Sequence, residues 1–323
     1  MVPGIPVYSD VRSGFPPMSI RSLRFLPLCI IAGMKFPFQT IALIGKYKTP
    51  GISGPLLHLA DFLAGKGLSV VMDKLTAEHL GQHGYPEVEL SEMGSAVDLA
   101  IVLGGDGTML NIVRTLAPHR VPLVGVNQGR LGFLTDISLD NMLPTIADIL
   151  EGKFVTEQRM LLQGSVLRNG EEVFRALAFN EVVLHRGNTS SMVEFEVRID
   201  EEYLYNQRAD GLIVATPTGT TAYALSAGGP IVHPALDLIT LVPVSPHTLS
   251  NRPIVLSSKS VLEIVLSHVV DVCLNFDSHS SFKLEEGDKV VIGRYAEPAC
   301  LLHPVGHSYY HTLREKLHWN KAP

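Results

Sequence analysis

The chain has 323 residues, of which 46% are hydrophobic and 18% charged, with a formal net charge of -6 and a mean hydropathy of +0.22. That length exceeds what one hydrophobic core usually serves, so two domains are expected, and the ordinary composition argues against disorder. Without a basic excess, neither nucleic acid nor an anionic membrane surface is expected as a partner, which leaves small molecules.

In the first 33 residues, Arg21 and Arg24 precede an apolar stretch at 25–33, a loose likeness of a signal peptide. Pro27 breaks that stretch, which is too short to cross a bilayer, and no clear small-x-small cleavage site follows. Residues 1–33 are therefore read as a poorly ordered extension, with Met34 as the functional start. From residue 34 to about 150, short apolar runs alternate with amphipathic stretches. Residues 39–45 (QTIALIG), 68–72 (LSVVM), 99–103 (LAIVL) and 121–126 (VPLVGV) have the character of strands buried on both faces. Residues 54–65, 109–116 and 139–150 carry helical spacing between them. This alternation predicts an α/β domain, a Rossmann-like parallel sheet with crossover helices, whose ligands gather at the carboxyl ends of the strands.

From 151 to 323 the grammar changes. Residues 160–167, 173–184 and 192–200 alternate as half-buried strands do, and the first two join through Asn169-Gly170, a tight hairpin pair. Runs at 254–256, 261–266 and 289–292 continue the pattern, and 308–319 reads as a short helix. The second domain is expected to be mostly β.

The sharpest motif is Gly104-Gly105-Asp106-Gly107-Thr108, where a buried strand ends and a helix begins. Glycine lets backbone amides approach a phosphate, and the helix N-terminus adds favourable partial charge. A carboxylate among phosphates is repelled unless it shares a cation with them, takes a proton from an attacking hydroxyl, or does both. The bland alternative is a glycine turn with Asp106 as helix cap. Neither GxxxxGK[ST] nor GxGxxG occurs, which removes P-loop kinases and weakens hydride-transferring Rossmann enzymes. A second motif, 210–230 (DGLIVATPTGTTAYALSAGGP), runs a strand into a loop dense in hydroxyls and then a short helix. Such a loop either faces a polar ligand or satisfies its own backbone. A third, Asn180-Glu181, sets two polar residues in an apolar strand, with groups that suit an adenine edge and ribose hydroxyls, or simply a wet strand edge.

Cys29, Cys273 and Cys300 are scattered, with no CxxC pair, which fits a reducing cytoplasm. His303, His307 and His311 recur every fourth residue, but Pro304 and Gly306 oppose the helix that would align them. They are read as packing or solvent-facing histidines, and no metal is assigned to them.

GGDGTML at 104–110, Asn180-Glu181 in FNEVVLHRG, residues 208–230 and PHTLS at 246–250 before Arg252-Pro253-Ile254 resemble bacterial NAD kinases in order and spacing. The resemblance runs from about residue 35 to the C-terminus. GGDG alone is shared with lipid and sugar kinases, whereas the 208–230 stretch is highly specific. The resemblance implies two domains with the active site between them, and a homo-oligomer, dimer or tetramer. It also implies transfer of the terminal phosphoryl group of ATP or polyphosphate to the 2'-hydroxyl of the adenosine ribose of NAD, giving NADP, with Mg2+ or another divalent metal. Asp106 would accept the proton, with Gly104, Gly105, Gly107 and Thr108 around the nucleotide. Asn180 and Glu181 would hold the adenosine; Arg208, Asp210, Thr221, Ala222, Tyr223, Ala224, Leu225 and Ser226 would line the rest of the dinucleotide site. Ser191 stands near a histidine of close relatives and His279 near a glutamine, which puts those two contacts in question. Two rivals remain: a GGDG lipid kinase, for which no basic amphipathic helix is present, and a non-catalytic dinucleotide sensor.

Overall fold

The alternation in the first half folds as its periodicity predicts. In the computed structural model, which describes residues 37–46, 51–129, 131–187, 191–248 and 250–319, the extension 1–33 and Leu249 lie outside the described residues. The first elements are β1 (Thr40–Gly45), α1 (Ser53–Gly65), β2 (Ser69–Asp73), α2 (Lys74–Ala77), β3 (Glu87–Val88), α3 (Leu90–Met93), β4 (Leu99–Gly104) and α4 (Asp106–Leu116). Then come β5 (Leu123–Asn127), β6 (Ile137–Ser138), α5 (Met142–Leu150) and β7 (Phe154–Arg159). Strands β1, β4 and β5 are buried on both faces, as parallel strands between helices must be. Helix α1 turns Leu56, Leu59, Ala60 and Leu63 inward, the i, i+3, i+4, i+7 stripe.

Further along lie β8 (Leu162–Arg168), β9 (Glu171–Ala178), β10 (Glu181–Arg186), β11 (Val193–Ile199), β12 (Glu202–Ala209), β13 (Gly211–Ala215) and α6 (Tyr223–Ser226). The chain continues through β14 (Leu238–Val244), β15 (Ile254–Ser257), β16 (Leu262–His268), β17 (Val272–Phe276), β18 (Ser280–Lys283), β19 (Lys289–Arg294), β20 (Ala299–Pro304) and α7 (Tyr309–Leu317).

Among the described residues three sheets result. The first has the order β3-β2-β1-β4-β5-β20-β7, with β6 beside β5. Its strand order reverses between β1 and β4, the switch point where open α/β sheets leave a crevice for ligands. Strands from the second half complete this sheet: β20 runs parallel to β5 through Leu301 and Leu123, and β7 pairs antiparallel with β20. The other two sheets, β15-β14-β13-β10-β17-β18 and β12-β11-β16-β19-β8-β9, are antiparallel and enclose an apolar core that includes Phe195, Leu212, Leu274 and Phe276.

The hairpin at Asn169-Gly170 forms as expected, with both residues at positive φ and Arg168 paired to Glu171. The stretch 173–184, read as one strand, is two. Strand β9 ends at Ala178 in one antiparallel sheet and β10 starts at Glu181 in the other. The break has a physical cause, because the backbone amides of Phe179, Asn180 and Glu181 all donate to the buried carboxylate of Asp277 and are lost to any strand ladder.

Candidate active site

Asp106 opens α4, but its side chain makes no capping bond; Gly105 is the N-cap. Instead the carboxylate reaches sideways, where Phe133 N-H donates to Oδ2 at 3.0 Å and Leu134 N-H to Oδ1 at 2.9 Å. The Thr135 hydroxyl lies 3.4 Å from Oδ1. Gly132 makes this approach possible, since a Cβ there would collide with Asp106 Oδ1 and Thr135 Oγ1. Lys316 of α7 brings its ammonium to 4.0 Å from Oδ2, and both side chains remain 31% exposed. Gly105 and Gly107 face open space, which leaves their backbone approachable. The product is an oriented, solvent-reachable carboxylate beside the Lys316 ammonium and the N-terminus of an 11-residue helix, a place that can accept a proton while anionic oxygens are held nearby.

Asn180 and Glu181 sit at the crossing between the two antiparallel sheets. Asp277 holds them there, accepting from Phe179 N-H at 2.6 Å, Asn180 N-H at 2.8 Å and Glu181 N-H at 3.0 Å. Asp277 itself lies on the turn between β17 and β18, with positive φ at Asp277 and Ser278, and Arg114 of α4 stands 3.6 Å away. Thus the helix that starts with Asp106 ends by bracing the Asn180-Glu181 corner. Burial raises the Asp277 carboxyl, although the three amides and Arg114 pull the other way. Burial, followed by the charge of Asp277, pushes Glu181 up to about 8. Of the two adjacent carboxyls, Glu181 is therefore the one that keeps its proton at neutral pH.

Glu181 lines a cavity of about 580 Å³ together with His185, Arg186, Asp210, Tyr223 and Asn275, a size usual for small-molecule sites. Arg186 Nε bridges to Asp210 Oδ1 at 2.8 Å. Three lining residues carry a buried polar atom without a hydrogen-bond partner: Glu181 Oε2, His185 Nε2 and Asn275 Oδ1. Unsatisfied buried polar atoms are costly, and their concentration at one cavity marks groups held ready for a ligand.

The threonine-rich loop divides its work. Thr216 donates to Phe179 O at 2.6 Å, Thr220 to Pro217 O at 2.7 Å and Thr221 to Thr218 O at 3.2 Å, so the hydroxyls largely serve the protein's own backbone. Of the two readings open to this loop, these three hydroxyls take the second. Gly219 presses against the backbone of Asn180, where a Cβ would clash with the carbonyl oxygen, and this locks the loop to the Asn180-Glu181 corner. Tyr223, 45% exposed, borders the cavity, whereas Ala224 is fully buried and packs beneath it. Thr221, Ala222, Leu225 and Ser226 neighbour Tyr223 without lining the cavity. Arg208 is exposed on β12 with Glu194 at 3.9 Å. Neither Ser191 nor His279 lines the cavity, and Asp106 lies outside its lining as well.

A buried polar chain joins the first motif to the second. Thr135 touches Asp106, and its neighbour Asp136 accepts from His303 Nδ1 at 3.0 Å and His307 Nδ1 at 2.7 Å. His303 Nε2 reaches Glu157 at 3.0 Å, Glu157 pairs with Arg159 at 2.8 Å, and Arg159 donates to the Thr218 hydroxyl at 3.1 Å. Burial would lower the His303 imidazolium, but the two carboxylates outweigh it and hold it up at about 9. Burial likewise would raise Asp136 and Glu157, yet the histidines, and Arg159 beside Glu157, keep both at about 2. His303, His307 and His311 share no helix: His303 lies in a strand, His307 follows a turn and only His311 is helical, as the sequence predicts. Asp136, Glu157, Arg159, Arg114, Asp277, Asn275 and Lys316 carry no motif, and only their tertiary placement reveals them.

The sequence profiles of the ATP-NAD kinase N-terminal and C-terminal domains match residues 41–154 and 179–303. The chain belongs to the NAD kinase family. It is 60% identical to the NAD kinase of Nitrosomonas eutropha over 283 residues, 88% of this chain and 96% of that protein. With the NAD kinase of Nitrosospira multiformis the identity is 58%, covering 90% and 99% of the two chains. Among solved structures, yeast NADH kinase complexed with NADH superposes with a TM-score of 0.83 at 26% identity, covering 90% of each chain. An NAD kinase from Archaeoglobus fulgidus in complex with ATP gives 0.68 at 26% identity, covering 87% of this chain and 99% of that one. As a member of the NAD kinase family the chain is a phosphotransferase, and its two-part architecture is that of the family.

Proposed function

We propose that this enzyme moves the terminal phosphoryl group of ATP onto the 2'-hydroxyl of the adenosine ribose of NAD, with Asp106 as the proton acceptor. The observation that carries the assignment is the Asp106 carboxylate, held by the amides of Phe133 and Leu134 beside Lys316. A carboxylate is a weak base near neutral pH, so the proton moves late, when the attacking oxygen has become acidic. Lys316 and the amides at the start of α4 then stabilise charge on the transferred group. Glu181, Asn275 and Asp210 receive the adenosine side in the cavity, and Asn180, whose amide Asp277 holds, precedes Glu181 in the chain. Arg208, Thr221, Ala222, Tyr223, Leu225 and Ser226 extend the dinucleotide surface, with the buried Ala224 packed behind them.

The ligands named for the two solved relatives, NADH and ATP, support this pair of substrates. Around Asp106 the chain offers one carboxylate already engaged by two amides, which suits Mg2+ held mainly by donor phosphates and not by an all-protein cage. When bound, Mg2+ supplies charge neutralisation on those phosphates. A homo-oligomer is supported by apolar side chains left on outermost strands, Val173, Tyr203 and Val255; light scattering on the purified chain measures it. Cytoplasmic residence is supported by the free thiols of Cys273 and Cys300.

The test is NADP formation from NAD, ATP and Mg2+, followed with a coupled dehydrogenase. Asp106→Asn keeps the shape and removes the acceptor, so kcat should fall about 100- to 10,000-fold with KM little changed. Near-normal turnover in that variant eliminates the assigned role, and no NADP from the wild type eliminates the reaction.

A further inference from the structure

Behind the loop that holds Asp106, three side chains from three segments converge. His303 is the penultimate residue of β20, Asp136 precedes β6, and His307 is brought back by a turn in which His307 N-H donates to Pro304 O at 3.1 Å. Gly306 takes φ +93° there, a conformation that glycine adopts without strain. The turn stacks the two imidazoles, with ring centroids 4.0 Å apart and planes 18° from parallel.

Both Nδ1 atoms then face the same oxygen, Asp136 Oδ2, at 3.0 and 2.7 Å, and the ligating atoms of all three residues lie within 4.8 Å of one another. Metal bonds from imidazole and carboxylate are about 2.0–2.2 Å long, so neighbouring donors around an ion sit about 3 Å apart. The ligating atoms are already gathered, and a tilt of the stacked rings away from parallel brings both nitrogen lone pairs onto one ion. A second observation points the same way. The Asp136 side chain is only 6% exposed, yet its Oδ1 has no hydrogen-bond partner. Around an ion, that oxygen becomes the second arm of the carboxylate. The far nitrogen of His303 already meets Glu157 at 3.0 Å, which is the outer carboxylate that orients a ligating histidine. His307, 14% exposed, is the most accessible of the three and gives an ion its way in.

We propose that Asp136, His303 and His307 form a structural site for a divalent transition metal of the zinc class, separate from the Mg2+ of phosphoryl transfer. Two imidazoles and one carboxylate select such a cation over Mg2+ or Ca2+, which prefer all-oxygen shells. Ligation replaces the two Nδ1 protons now shared with Asp136. The ion ties β20, and the turn leading to α7 with its Lys316, to the segment whose amides orient Asp106. The site does not depend on which phosphoryl acceptor the enzyme uses.

Untagged full-length protein, stripped with a chelator and given Co2+ or Zn2+, tests this. One ion per chain, visible absorption bands of histidine-ligated Co2+ and a higher Tm with Zn2+ are expected. His307→Gln should weaken Zn2+ binding at least about 100-fold, while His311→Gln, altering an exposed residue of α7, should leave it unchanged. Equal binding by the wild type and His307→Gln, or no bound ion in the wild type, overturns the proposal. Should His307→Gln fail to fold, the anomalous scattering of zinc in wild-type crystals decides: a peak among the three side chains supports the site, and a peak only elsewhere overturns it.

Discussion

Replacing Glu181 with glutamine should stabilise the ligand-free protein in a pH-dependent way. The Glu181 carboxyl, ordinarily near 4.5, is pushed up to about 8 by burial and by the charge of Asp277. The folded chain therefore keeps a proton that the unfolded chain releases. The stability this proton confers is complete below pH 4.5 and is lost as the pH rises through about 8. Each pH unit in that window costs about 1.4 kcal/mol. The 3.5 units between 4.5 and 8 set a ceiling of about 5 kcal/mol, and water entering the cavity reduces it to about 2–5 kcal/mol. Glutamine keeps the shape and has no proton to lose. At about 2 °C per kcal/mol for a chain of this size, Glu181→Gln should melt about 4–10 °C above the wild type at pH 9 and level with it at pH 5. Thermal melts from pH 5 to 9 without nucleotide measure the difference. A gap that does not change with pH would refute the reasoning, and KM for NAD should rise in the same variant because a cavity hydrogen-bonding group has been altered.

Asp277→Asn sets an amide against the Phe179 N-H, so about 2–4 kcal/mol of stability should go, with a higher KM for NAD; chemical denaturation and NAD titration read both. Gly132→Ala forces Asp106 off its two amides, and kcat should fall about 10- to 100-fold with Tm nearly unchanged, a loss that steady-state kinetics and a melt separate. Lys316→Met removes the ammonium 4.0 Å from Asp106; KM for ATP should rise, with kcat down about tenfold. Unaltered ATP kinetics would remove Lys316 from the site.

The alternating apolar runs gave the Rossmann-like sheet away because parallel strands between helices must be apolar on both faces, a property written in consecutive residues. Asp106 was legible for a similar reason: a lone carboxylate among three glycines at a strand-helix junction has few uses. The Asn169-Gly170 hairpin was legible because its turn demands positive φ at two adjacent residues. By contrast, the division of 173–184 into β9 and β10 depends on Asp277, 98 residues beyond Phe179, and no local pattern records a carboxylate that arrives from another strand.

Tertiary placement also decided what the polar residues do. The threonines of 216–221 read equally well as ligand contacts or as turn formers, and only packing against Phe179 and Pro217 chose the second for most of them. Asp136 just before β6, Glu157 and Arg159 on β7 and His303 on β20 are ordinary residues until the first sheet sets β20 between β5 and β7. Sequence alone determined the strand-helix grammar, the carboxylate set among glycines and the family, since each rests on contiguous residues. The folded chain alone determined which carboxyl keeps a proton, which oxygens lack partners and which histidines face each other, because burial and long-range proximity have no local signature.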